Sequence, residues 1–481
     1  MDARTQAAQQ AGAERHAGKE TLRDVQTNNV GLYIHTHWSY RHPYAARTWT
    51  LDDWRGFLSG LKRLGYNWIQ IWPLIDVMPL PLTDSDRRHL QRLAEVITMA
   101  HRDFDMRVIV GVCANPIGNA RATAFAFEDR PYFDVTQEIN PADPDQVATL
   151  FQQRREALAP LAAADGLWVI DSDPGGYPDS PPEEFVALLR RYRALLDELR
   201  PGIELIYWVW AGWPGKKGLN PPAWRAVLSE LKSWNPEPWS IHIGLPEHLP
   251  VVRELGLTER AYGFPYNAIE DEPALPWTRF KPQALYDAAT SFPWSKGLLG
   301  NAQTHCLQLP HIYCLAHYAR GGTSADLDLA GFAEELVPGL GPKVEAAWRA
   351  MGPTDVEAID AAAAGLAGAV AKPAGPLAGL LFGDANRFLE DLRHQLAARR
   401  ALWRLEMAAG PEAVKAALKA LAAPLRPWVA RHGFVDYTWR DPVFDAVKKN
   451  ARELKLEPIL QRFETGRHGW IPRVLDGLEA L

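Results

Sequence analysis

The sequence predicts an α/β protein: a (β/α)8 barrel followed by an α-helical C-terminal domain. Three observations point there. Eight short apolar runs recur between Val30 and Gly322, each β-branched or aromatic, as strands buried on both faces require. Amphipathic stretches with helical spacing lie between them. No glycine-rich phosphate turn follows the first run, although a doubly wound open sheet would carry one there. That run ends instead in HTHWSYRHPY. Eight repeats in about 290 residues fit a barrel.

The elements follow in order. The first strand spans 30–38 (VGLYIHTHW), and a helix over Leu51–Leu64 starts behind Thr50, a good N-cap. The second strand, 67–74, precedes a helix over Ser85–Phe104 with Thr83 or Ser85 as its cap. The third, 107–115, leads to Asp143–Ala164, and the fourth, 166–173 (GLWVIDSD), to Pro182–Leu199. Strands at 204–212, 239–246, 260–267 and 296–304 complete the set. This assigns residues 1–28 to a polar leader and 29–322 to the barrel. Residues 323–481 turn to Ala, Leu, Glu and Arg at helical spacing, with 361–379 the weakest helical stretch. Their expected role is packing on the barrel and offering a surface for a homo-oligomer.

Composition narrows the function. The 481 residues carry 52 Lys+Arg against 58 Asp+Glu, a net charge of −6, with no basic block. A phosphate backbone wants clustered cations, so no nucleic-acid partner is expected. No apolar run reaches the roughly 18 residues of a membrane span. The polar start lacks the apolar stretch of a signal peptide, so a cytoplasmic protein is expected. Cys113, Cys306 and Cys314 sit in apolar contexts and read as reduced core residues. No Walker loop, dinucleotide fingerprint, zinc Cys-x-x-Cys or G-x-S-x-G elbow occurs, so neither a cofactor nor a serine acyl transfer is expected.

The chemistry should lie where strands run into the following loops. The fourth strand ends in Asp171-Ser172-Asp173-Pro174-Gly175-Gly176-Tyr177. Carboxylates at i and i+2 of a strand share a face, with α-carbons roughly 6.6–6.8 Å apart. Such a pair repels, which suits one proton donor beside one permanent anion. The bland alternative is a pair of turn caps. His35-Thr36-His37 closes the first strand, and a barrel metal site would use both histidines with His242 and an acid. Hydrogen bonding to hydroxyls fits the pair better, because later strands lack the remaining ligands. Arg41, Trp72, Asn115, Tyr177, Trp208, Trp210, Tyr266, Asn301, Gln303 and His305 complete a set of amides, imidazoles and aromatic faces. The 19 Trp are mostly core, but several fall at strand ends together. That set describes a neutral polyhydroxylated ligand that stacks and hydrogen-bonds. No metal is expected there.

Two acids on one strand poorly suit a glycosidase attacking from opposite sugar faces. They suit substrate-assisted hydrolysis, in which a 2-acetamido group attacks its own anomeric carbon. Here the chain resembles the retaining β-N-acetylhexosaminidases of glycoside hydrolase families 20, 84 and 123. WVIDSDPGGYPDSP and GNAQTHCLQLPHIY are most similar to distant β-N-acetylgalactosaminidases of environmental bacteria. The resemblance covers roughly 30–350 and implies a 2-acetamido sugar at the non-reducing end as substrate. It also implies Asp171 as the acetamide-orienting residue and Asp173 as the general acid. Those families carry consecutive acids, whereas Ser172 intervenes here, so the order of roles stays open. A two-carboxylate glycosidase with Asp173 and Glu270 or Glu247, a metal-dependent amidohydrolase-like enzyme and a silent sugar-binding barrel are the alternatives.

Overall fold

A computed structural model describes residues 29–36, 38, 40–132, 134–172, 175–210, 212–213, 221–265, 269, 279–290, 295–372, 374–434, 442–464 and 470–481. Among the described residues ten strands form: β1 (Val30–Ile34), β2 (Trp68–Ile71), β3 (Arg107–Cys113), β4 (Pro116–Gly118), β5 (Thr136–Glu138), β6 (Gly166–Ile170), β7 (Glu204–Val209), β8 (Trp239–Ile243), β9 (Ala261–Gly263) and β10 (Gly297–Ala302). Eight of them close a parallel barrel in the order β1-β10-β9-β8-β7-β6-β3-β2. Each expected strand is present, ending two to four residues earlier than its apolar run. β4 and β5 pair antiparallel in the loop after β3.

Helices alternate with the barrel strands. Helix Leu51–Arg63 starts on a reciprocal capping box between Thr50 and Asp53, and Asp84–Phe104 on one between Thr83 and Asp86. The helix expected over Asp143–Ala164 runs only Pro144–Leu158, then tightens into a short 3-10 turn that contains Pro160. Beyond helix Leu309–Ala319 the elements among the described residues are all helical, the longest being Ala385–Met407 and Pro411–His432. Among the described residues no helix is long and apolar enough to cross a membrane.

The barrel interior is filled by aromatic rings meeting glycine. A Cβ on Gly31 would lie 2.2 Å from the Trp68 indole, and one on Gly111 1.7 Å from that of Trp168. Small residues on neighbouring strands thus make room for the indoles, the volume matching that close packing demands. Tyr33 of β1 meets Trp208 of β7 and Phe264 after β9, each ring centre 5.8 Å away. β1 and β7 are not neighbours, so these side chains touch across the barrel axis. Alternation then fixes every strand: Gln70, Trp168, Trp208 and His242 point inward, while Tyr207 points toward the helices. At the strand starts Glu204 binds Lys296 and Arg107, closing that end with a charged plug.

Candidate active site

At the strand ends the described residues build an aromatic-walled mouth. Trp72 stands edge-on to Trp168 and Tyr132, with ring centres 5.1 and 5.8 Å away. His35 lies parallel to Trp38 at 6.1 Å and tilts against Tyr33 at 4.2 Å. Trp38 donates its indole N–H to Gln303 Oε1 at 2.6 Å, tying the first loop to the eighth. Trp210 and Tyr177 are half-buried at the rim, and Trp210 sits 6.1 Å from Trp208. Asn301 is paired in register with Tyr33. His35, Trp72, Trp208, Trp210, Asn301 and Gln303 therefore lie at or next to the strand ends, and Tyr177 lies in the loop after β6. His37, Asp173 and Tyr266 lie outside the described residues, as do Glu270 and the tail motif beyond Phe434.

β6 stops at Ile170, one residue before Asp171. The strand geometry used to pair Asp171 with Asp173 therefore does not extend across them. Asp171 is fully buried. Its Oδ2 accepts from the Tyr207 hydroxyl at 2.9 Å, and its Oδ1 from the half-buried Ser172 hydroxyl at 2.8 Å. Burial, and then the neighbouring Asp171 carboxylate, pushes the Tyr207 phenol well above its ordinary value, so it remains a donor. Sequence reasoning missed Tyr207, although its place one residue before the inward-facing Trp208 marks it as outward.

Other positions differ from expectation. Asn115 is buried and donates both amide N–H groups to backbone, Ile139 O and Gly176 O at 2.8 Å each, while its Oδ1 accepts from Gly176 N. It staples the end of β3 to the turn after Asp171. Arg41 is exposed, and its guanidinium reaches Ala430 O at 2.8 Å, capping the end of helix Pro411–His432. His305 packs between Trp49 and Phe57, with ring centres 4.9 and 5.4 Å away, on the helix side of the barrel. His242 lies inside the barrel beside Trp208 and Tyr262. Polar residues at strand ends serve backbone and core as readily as ligands. Among the described residues no three of His, Cys, Asp and Glu converge on one point.

Asp76 is a further residue of the mouth. Its Oδ2 accepts the Trp72 indole N–H at 2.7 Å, and its Oδ1 accepts from Cys113 N and Arg154 at 3.0 and 3.1 Å. Asp76 and Arg154 are both fully buried.

Burial pushes the imidazoles of His89, His242, His305 and His311 down to about 3. An unfolded histidine takes up its proton near pH 6.5, so the unfolded state gains protons first as pH falls. Stability should therefore drop as pH falls below about 6.5. Asp76, pushed up to about 6 by burial, and Glu138, also raised by burial, oppose this. A melting temperature that falls from pH 7 to 4.5, less steeply in His305→Phe, is expected. A flat or rising profile would contradict this.

No protein-family model matches the chain, and no curated protein matches it. Solved structures do. A GH138 enzyme targeting the pectin rhamnogalacturonan II aligns over 92% of this chain and 68% of its own, at 10% identity and a TM-score of 0.51. A mutant O-GlcNAc hydrolase from Thermobaculum terrenum aligns over 86% and 93%, at 11% identity and a TM-score of 0.48. What the chain shares with the first of these is the fold. It is a TIM barrel with a helical C-terminal region, in an arrangement also found in a glycoside hydrolase.

Proposed function

We propose that the protein is a glycoside hydrolase acting on an uncharged sugar. More narrowly, we read it as an exo-acting β-N-acetylhexosaminidase, retaining and substrate-assisted, with the galacto epimer preferred through the sequence resemblance. The observation that carries the reading is the mouth itself. Indole and imidazole faces lie with amides at the strand ends of a barrel, and the residue that follows β6 is an acid, Asp171.

In this reading the sugar stacks on Trp72, Trp208 or Trp210 and hydrogen-bonds to His35, Asn301 and Gln303. The acetamide N–H takes the place of the Ser172 hydroxyl on Asp171 Oδ1, while Tyr207 holds Oδ2 from behind. The acetamide oxygen then attacks the anomeric carbon as the bond to the leaving oxygen breaks. Asp173 donates its proton to that oxygen. Asp171 stabilises the resulting oxazolinium charge, a gain that grows where water is excluded. Asp173 next takes a proton from water, whose oxygen opens the ring with retention of configuration. Binding the nucleophile within the substrate supplies a large effective molarity.

A thiazoline that mimics the oxazoline tests this step. Competitive inhibition far below the substrate's KM is expected, and no inhibition would remove the acetamide from the mechanism.

One observation favours a second reading. Because β6 ends at Ile170 and Asp171 binds the outward-facing Tyr207, Asp171 is also suited to hold the turn alone. Asp173 would then work with Glu247, which is exposed, or with Glu270 in a two-carboxylate glycosidase. Turnover of plain aryl glycosides, lost in Glu247→Gln or Glu270→Gln, would select that reading.

A further inference from the structure

We infer that Asp391, in the C-terminal helices, is a positioning residue for the sugar site, acting through Tyr44 on the first βα loop. The inference rests on the sugar site proposed above and extends it to a part of the chain far from the barrel mouth in sequence. Asp391 Oδ2 accepts from the Tyr44 hydroxyl at 2.8 Å and from Arg387 at 2.6 Å, and Oδ1 faces His432 Nε2 at 2.8 Å. Tyr44, Asp391 and His432 are each 1% exposed, and Arg387 7%. Arg41, in the same loop, donates its backbone N–H to His432 O at 2.7 Å. Arg387 also approaches Cys306 Sγ at 3.8 Å, in the loop after β10.

The hub therefore grips the first and eighth loops together. Those two loops carry His35, Trp38 and Gln303, and the Trp38–Gln303 hydrogen bond joins them at the mouth. Docking alone does not call for such a hub. The backbones of Gly56 and Gly379 already meet so closely that a Cβ on Gly379 would stand 2.4 Å from Gly56 O. Burying charges costs desolvation that apolar packing avoids, and what it adds is direction and register. Here the direction is given to Tyr44, nine residues after His35 in the chain.

Tyr44→Phe removes one hydroxyl and leaves Asp391 with Arg387 and His432, and Asp391→Asn removes the charge. Both are compared with the full-length wild type by backbone hydrogen exchange over residues 40–45 and by steady-state kinetics on the best aryl glycoside. Exchange about tenfold faster in that loop is expected, with KM raised about tenfold and kcat within about twofold, the scale of one hydrogen bond to a charged group. Wild-type exchange and KM in folded Tyr44→Phe would overturn the inference, and that variant decides the matter if Asp391→Asn does not fold. Should the wild type hydrolyse no glycoside, the proposed function fails, while the exchange measurement still decides whether Asp391 orders the loop.

Discussion

Asp173→Asn is expected to lower turnover of an unactivated 2-acetamido glycoside about 10²–10⁴-fold, the range that general acid help contributes. An amide cannot release a proton to the departing oxygen, so the loss falls on bond cleavage. An aryl glycoside with a strongly acidic leaving group needs little protonation and should lose far less. The contrast between the two substrates identifies the acid, since a misfolded variant would lose both alike. Asp171→Asn should behave differently. The side-chain oxygen can still accept from Tyr207, but the charge that steadies the oxazolinium is gone, so both substrates should suffer similarly. Near-normal turnover of both substrates by Asp173→Asn would remove it from the acid role.

The second large effect is on stability. Asp76→Ala should cost about 3–5 kcal/mol, because it strands a buried Arg154 guanidinium without its carboxylate. Arg154 keeps other acceptors, the Cys113 and Pro116 carbonyls at 3.2 and 2.6 Å, but none is charged. Cys113 N and the Trp72 indole N–H lose their acceptor as well. The pair itself adds little net stability, since its burial already raises the Asp76 carboxyl against the pull of Arg154. Removing one half is what costs. Urea unfolding should show the midpoint shift, and a sugar that stacks on Trp72 should bind more weakly. Unchanged unfolding would mean that Arg154 finds compensation elsewhere.

The barrel was legible in the sequence for a physical reason. Strands covered on both faces are continuously apolar, so VGLYI, RVIVGVC and GLWVI announce themselves, and Thr50 and Thr83 mark where helices begin. The site was legible only in part. Strand ends attract polar residues for several purposes, and sequence does not say which. Asn115 serves the backbone of Gly176, Arg41 a helix end, and His305 a nest of aromatic rings. The apolar run of the fourth strand continues to its acids, yet the hydrogen-bonded ladder stops at Ile170. Alternation from the inward-facing Trp168 already puts Asp171 on the helix side, toward Tyr207. The Tyr44–Asp391 bond joins residues 347 positions apart, and no local pattern signals such a contact. Tryptophan behaves likewise: Trp49, Trp54 and Trp68 are wholly core and Trp72 and Trp208 are buried with them, whereas Trp210 is half-buried.

The most direct measurement sets aryl β-glycosides bearing a 2-acetamido group, in both gluco and galacto form, against the same sugars bearing a 2-hydroxyl. The account predicts hydrolysis of the acetamido pair, faster for the galacto epimer, with the plain glycosides left intact. Equal or better turnover of the plain sugars would contradict it, and so would an inert protein.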